Sequence, residues 1–371
     1  MAPEGERTST AGRCNNANLL RFILASMVIY YHMGPLLGQP TVTIMGQGLG
    51  YVAVNGFFIL SGFFIAGSWA RSSSFAAYLI RRFARIFPGL IVVVLLTVFV
   101  LGPLMTTLSP GEYFSHPGTW RYLSIALLAP VDNVLPGVFE SVPFPRGVNG
   151  SLWTLRYEFL MYLILPLLYL PVGKAKAKAK PISIGAAAVF SVLHVLTAGD
   201  ILAMSYHLAV GFRLAAYFFI GVAAFELDLP KRIGAQHAAL AALVMVIFAQ
   251  ESGWLCTAVM LVAVTLFSLG FSFPANPVFA RCFAENDYSY GIYVYAFPLQ
   301  QVCVQLGAGS PESSALLFSL VSLAVTFLFA FASWHLVEKP SIRLGKRLSA
   351  RFQAARDAKA AARRAGAQAG E

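Results

Sequence analysis

The sequence predicts an all-α, polytopic integral membrane protein of about ten transmembrane helices with both termini cytoplasmic. Three observations lead there. The chain of 371 residues is 58% hydrophobic and only 12% charged, with a mean hydropathy of +0.69; a soluble domain carries about 25% charged residues. Apolar runs of membrane-crossing length, about 20 residues each, recur from residue 19 almost to residue 338. The lysines and arginines collect in alternate connections between those runs.

The expected spans are 19–38, 50–70, 87–107, 151–172, 181–199, 203–227, 235–250, 253–272, 288–308 and 312–336. Backbone groups in hydrocarbon must bond internally, so these are helices. With the N-terminus placed in the cytoplasm, 23 of the 27 Lys and Arg residues fall on inner segments. They include Arg71, Arg81, Arg82 and Arg85, then Lys174 to Lys180, Lys231, Arg232 and Arg281, and the tail from Lys339 to Arg364. The positive-inside rule expects this asymmetry for an even number of spans with both ends inside. The net charge of +11 therefore reads as topology and contact with the lipid bilayer. Nucleic acid is not an expected partner, because the charge is dispersed over loops that the membrane keeps apart.

Residues 1–18 form a polar cytoplasmic tail without a cleavage-site pattern, so the first span is expected to be an uncleaved anchor. Residues 19–345 form the membrane domain, and 346–371 a basic, Ala-rich tail read as a frayed helix. KAKAKAK (174–180) is an inner linker. Cys14, Cys256, Cys282 and Cys303 show no metal or disulfide spacing, so no metal is expected. No internal repeat is visible, which weighs against an inverted-repeat transporter. The longest outer segment, about 108–150, contains six prolines, which argue against a long helix. Within it, WRYLSIALLAP (120–130) is too short to span and is expected to lie in the interface or re-enter.

The candidate chemistry begins in the first span. Arg21 and His32 are eleven residues apart, about three helical turns, which places both on one face about 16 Å apart. Ionisable groups inside a membrane are functional candidates because placing them there is costly. The plain alternative for Arg21 is a snorkelling anchor. In AYLIRRFARIFPGL (77–90), taken as the loop after the second span, a helical turn groups Arg82 and Arg85. Guanidinium forks suit phosphate oxygens, although on this loop alone ordinary positive-inside charge explains them.

Six elements in order make the chain resemble the integral-membrane acyltransferase family 3, whose members O-acetylate surface polysaccharides, O-antigens and nodulation factors. They are Arg21 with His32; NGFFILSGFFIAG (55–67), with Asn55, Ser61 and Gly62; RRFARIFP (81–88); NGSLWTLRYEFLMY (149–162), with Asn149, Trp153 and Glu158; YSYGIYVYAFPLQQ (288–301), with Tyr290; and WHLVEKP (334–340), with Glu338. The resemblance covers residues 15–345. The chain departs from it at Ala296, where many relatives carry histidine, and in the Arg-Tyr pair before Glu158. It has no hydrolase-like extension, so a second esterase activity is not expected.

The resemblance implies transfer of an acyl group, chiefly acetyl, from cytoplasmic acetyl-CoA (acyl-CoA) to a carbohydrate hydroxyl on an external or lipid-linked glycan acceptor, at a bacterial inner membrane. Acyl-CoA is then a co-substrate, with no permanently bound cofactor. His32 and Glu158 are the catalytic candidates, and Arg21, Arg82 and Arg85 the acyl-CoA-binding ones. An alcohol is a poor nucleophile and needs a general base, a role open to histidine near neutral pH. A carboxylate can orient and charge-stabilise an imidazole, and His32 and Glu158 lie at similar depth in their spans. The other reading of Glu158 is an ion pair with Arg156 or Arg213. No G-x-S-x-G elbow appears, so direct transfer is expected. Ser61, before Gly62, is expected to permit close helix packing. Asn55, Ser61, Gly62, Asn149, Trp153, Tyr290 and Glu338 are expected to shape the pocket or the fold. The alternative function is a proton-coupled transporter or exporter of a glycan or small metabolite, with His32 and Glu158 as a proton relay; a non-catalytic assembly partner is the third class.

Overall fold

A computed structural model describes residues 16–130, 132–171, 176–198, 202, 204–232, 234–248, 253–270 and 286–368. The tail before residue 16, Lys174, Arg281, Cys14 and Cys282 lie outside the described residues. The rest is almost wholly helical. The long elements are α1 (Ala17–Leu37), α2 (Leu49–Ala70) and α3 (Phe75–Leu96), which runs on through a π turn (Thr97–Leu101) into α4 (Gly102–Met105). After two short helices, α5 (Pro110–Ser115) and α6 (Pro117–Tyr122), come α7 (Trp153–Tyr169), α8 (Lys176–Ala198), α9 (Tyr206–Glu226), α10 (Ala235–Phe248) and α11 (Gly253–Gly270). The chain closes with α12 (Ser289–Gln305), α13 (Ala315–Ser333), a π turn (Trp334–Glu338) and α14 (Lys339–Gln368). A two-residue hairpin, Thr43–Ile44 with Gln47–Gly48, joins α1 to α2.

Six described helical stretches are long and apolar enough to cross a membrane: those of α1, α2, α3–α4, α8, α9 and α13–α14. The other four expected spans coincide with α7, α10, α11 and α12, of 17, 14, 18 and 17 residues. These run short of the roughly 20 residues a span needs. The third element starts at Phe75, not near residue 87, because Ser74 caps it by accepting from the Ala77 N–H. The arginines read as a loop are therefore carried on the first turns of α3.

Close approaches set how the helices sit. A Cβ on Gly62 would lie 1.9 Å from the Phe218 carbonyl oxygen, and one on Gly221 2.0 Å from that of Ile59. Glycine on both partners thus lets α2 and α9 cross backbone to backbone. Gly62, not Ser61, makes this contact. Gly345 does the same for α14, where a Cβ would meet the Ala84 Cβ at 2.5 Å. The expected boundary at 345/346 therefore falls inside a helix already packed on α3.

The proline-rich segment makes no long helix. Ser109 and Glu112 form a reciprocal capping box that starts α5. A 3-10 turn (Leu123–Leu127) ends at Leu128 in the left-handed region. Tyr113, fully buried, donates to the Val98 carbonyl at 2.9 Å. Tyr113, Tyr122, Leu135 and Phe139 join one core with Leu36, Leu37 and Phe297. The segment folds as a cap over one end of the bundle. The α2–α3 corner, with Arg71 and Arg81, marks the opposite end.

Candidate active site

A cavity of about 620 Å³ opens among α2, α3, α7, α12 and α14. Its wall on α2 carries Val54, Phe58, Ser61, Ile65, Ser68 and Arg71. That spacing is one helix face, and at 1.5 Å per residue it runs about 25 Å. Arg21 of α1, Arg81, Arg82 and Arg85 of α3 and Lys346 of α14 join Arg71 in the lining. Glu158 is the one carboxylate of a described residue there.

The three expected phosphate-binding arginines differ. Arg21 and Arg85 share Asp287: Arg21 Nη1 lies 3.2 Å and Arg85 Nη2 2.6 Å from its Oδ2. Arg85 also meets Glu338 Oε2 at 3.5 Å. Glu338 is buried, and its Oε1 accepts from the Ser333 hydroxyl at 3.0 Å. Asp287 further accepts from the Ser289 N–H and hydroxyl at the start of α12. Its burial opposes ionisation, but Arg85 and Arg21 outweigh it and hold the carboxyl below its usual range. Arg82 has no such partner. Its guanidinium lies 6.0 Å from the Tyr78 ring centre and 5.8 Å from that of Tyr162, and its Nε is buried without a hydrogen bond.

Glu158 faces the cavity from the second turn of α7. It accepts from the Tyr162 hydroxyl and, at 3.4 Å, from Ser61 Oγ. Ser61 is thus a polar wall residue rather than a packing device. The expected alternative partners are elsewhere: Arg156 bonds His207 Nδ1 at 3.0 Å and Arg213 lies over the Tyr51 ring at 4.6 Å. One turn before Glu158, the Thr154 and Tyr293 hydroxyls share a 2.7 Å hydrogen bond. Both line the cavity.

His32 stands five residues before the end of α1 and does not line the cavity. Its ring packs edge-on against Phe297, centroids 4.9 Å apart. Phe297 is one turn beyond Tyr293 on α12. His32 Nδ1 is buried with no hydrogen-bond partner. Gln300, fully buried, donates to the Ile29 carbonyl at 3.0 Å and fixes α1 one turn before His32. Among the described residues no hydrogen bond joins His32 to Glu158. His32 packs against Phe297, while Glu158 lines the cavity that Tyr293, one turn away on α12, also lines.

The other motif residues divide. Tyr290 lines the cavity and donates to the Ile86 carbonyl at 2.7 Å. Asn149 is structural: its Nδ2 donates to the Val294 carbonyl at 2.8 Å and its Oδ1 caps the Ser151 N–H. Trp153 sits edge-on against Tyr157 at the start of α7, and Asn55 is buried on α2; neither lines the cavity. Ala296 packs with Ala25 and Ile29 of α1. Sequence reasoning missed Asp287 and Lys346. Asp287 had one signal, a lone acid directly before the apolar YSYGIYVYAFP run.

A sequence profile described as an acyltransferase domain matches residues 15–335. The chain is 31% identical over 344 residues to an O-acetyl transferase of Shigella phage Sf6, covering 88% of this chain and 96% of that one. It is 33% identical to nodulation protein 10 of Rhizobium leguminosarum bv. viciae, over 45% of this chain and 47% of that one. It is 35% identical to the acyltransferase MdmB of Streptomyces mycarofaciens, over 34% and 30%. No solved structure matches. The apolar helices, the motifs in their order and these matches lead to one conclusion: this chain belongs to acyltransferase family 3 and is a multi-pass membrane acyltransferase.

Proposed function

We propose that the protein is an O-acetyltransferase of a bacterial inner membrane that moves acetyl from cytoplasmic acetyl-CoA to a carbohydrate hydroxyl of an external or lipid-linked glycan. One observation carries the reading: a long cavity, lined by cations in its half toward the α2–α3 corner, runs past Glu158 to Tyr293, one turn on α12 from the Phe297 ring that packs against His32. Its length of about 25 Å suits a nucleotide with an extended acyl-bearing arm. The name of the phage relative, an O-acetyl transferase, supports acetyl transfer.

In this mechanism the cavity takes the donor from the α2–α3 corner, and Arg82, with Arg21 and Arg85, holds its phosphates. His32 removes the proton of the acceptor hydroxyl. The acceptor oxygen forms a bond to the thioester carbonyl carbon, the carbon–sulfur bond breaks, and the imidazolium returns its proton to the departing thiolate. Glu158 contributes negative charge from the cavity side and favours the imidazolium. The orientation follows from charge: ten spans, both termini inside and the cap outside.

Purified protein in nanodiscs, given labelled acetyl-CoA and glycan acceptor, should consume thioester and label the glycan. Transport without thioester loss would favour the exporter reading instead. Orientation is tested with single cysteines at the exposed Ser115 and Ala350 in a background lacking the native cysteines. An impermeant reagent on intact cells should label position 115 and spare 350; the reverse pattern would invert the topology.

A further inference from the structure

The cations of the cavity are not equivalent, and the difference assigns a place to each part of a donor. Arg21 and Arg85 are neutralised by Asp287 and Glu338. Among the described residues no carboxylate lies within 4.0 Å of Arg71, Arg81, Arg82 or Lys346. Four uncompensated cations therefore line a cavity whose own acid is Glu158. Three of them sit at one end. Arg71 caps the C-terminus of α2, Arg81 lies on the second turn of α3, and Lys346 comes from α14.

The α14 contribution is built into the fold. Gly345 lets α14 touch Ala84. Ser349 donates to the Ala77 carbonyl at 3.0 Å and accepts from Arg81 Nη1 at 2.6 Å. Arg81 is also held by the Ser72 hydroxyl, and Ser73 bonds Gln353. Ile342 and Lys346, one turn apart, both face the cavity. The bonded chain Ser72–Arg81–Ser349 fixes Arg81 and the turn of α14 that carries Lys346 at the mouth.

We propose that Lys346, with Arg71 and Arg81, is a separate anion subsite at the mouth of the cavity that binds the donor's ribose monophosphate, the phosphate most distant from the thioester. It rests on the acyl-CoA reading above. The basic C-terminal helix is then part of the donor site, and the site tells a donor with two phosphate groupings from one with the diphosphate alone. Anionic lipid headgroups offer the same chemistry, so the test separates the two sources.

The full chain is placed in phosphatidylcholine nanodiscs and titrated with CoA and with dephospho-CoA, which lacks that monophosphate. The wild type should prefer CoA by about tenfold, the size of one or two charge-assisted contacts. Lys346→Ala and Arg71→Ala should each bring the ratio toward one and leave dephospho-CoA affinity unchanged, and Lys346→Arg should restore it. Lys346 is exposed on its outer side, so its truncation leaves the packed face of α14 intact. If both nucleotides bind but the folded Lys346→Ala protein keeps the full ratio, the subsite is overturned while the donor reading stands. If neither nucleotide binds, both fall. If Lys346→Ala changes only retention of added phosphatidylglycerol, the surface is a lipid site and the proposal fails.

Discussion

The start and the middle of α12 have opposite surroundings. At its start, Asp287, Tyr290 and the arginines of α1 and α3 form a charged, hydrogen-bonded cluster beside an open cavity. From two turns on, Phe297 packs against His32 and Gln300 bonds the Ile29 carbonyl one turn before it, in a buried apolar region with one unpartnered ring nitrogen. The first suits holding a polyanion, because the cluster fixes the wall beside Arg82, which has no carboxylate within 4.0 Å among the described residues and needs no rearrangement to receive one. The second holds an imidazole whose Nδ1 is left without a hydrogen-bond partner, free to take a proton from an acceptor hydroxyl in the proposed reaction. Under the proposed function, this separation would let donor and acceptor reach one carbon from different sides.

The comparison breaks most sharply at His32. His32→Ala should lose about 10²–10⁴ in turnover while expression, melting temperature and CoA affinity stay near wild type. Turnover in nanodiscs, with differential scanning fluorimetry as the control, checks it. Near-normal turnover would remove the histidine end from the mechanism.

Glu158→Gln comes next, with a loss of roughly ten- to a hundredfold, about 1.4–2.7 kcal/mol in barrier. The hydrogen bonds from Tyr162 and Ser61 can persist to the amide oxygen, so folding should hold. If Glu158 acts through His32, the double variant should lose no more than His32→Ala alone. Additive losses would assign Glu158 to the donor side only.

The smallest effect sharpens the charged end. Asp287→Asn leaves Arg21 and Arg85 without their shared acid and should lower the melting temperature by a few degrees. Because the folded-state carboxyl titrates lower than the unfolded one, its stabilisation is present above the ordinary carboxylate range and is lost as pH falls through the folded value. Wild type should therefore lose its advantage over Asp287→Asn on acidification. A gap that stays constant down to acid pH would mean that Asp287 acts through hydrogen bonding alone.

What was legible in the sequence is what local geometry determines. Arg21 and His32 could be set on one helix face from their spacing alone, and the Arg82–Arg85 grouping needed only a helical turn. Helix existence followed from apolar runs, although the start of α3 was missed by a full three turns because Arg81, Arg82 and Arg85 read as loop charge. Tertiary partners were not legible. Asp287 reaches Arg21 across 266 residues of sequence, and nothing local distinguishes it from a simple helix-start acid. Lys346 looked like one of many tail cations; only the close approach at Gly345 brings it to the cavity. Similar depth placed Glu158 near His32, but depth does not specify which face of α7 points where.

The central claim is that one end of the site binds the donor and the other performs the proton transfer. Its most direct test is the split of kcat from donor KM in Arg82→Ala and His32→Ala, measured side by side over a full range of acetyl-CoA. Arg82→Ala should raise donor KM about tenfold with kcat near wild type, and Lys should rescue it only in part for want of a bidentate fork. His32→Ala should collapse kcat with donor affinity unchanged. If both variants lower kcat together at unchanged donor affinity, the division of labour between the two ends is contradicted.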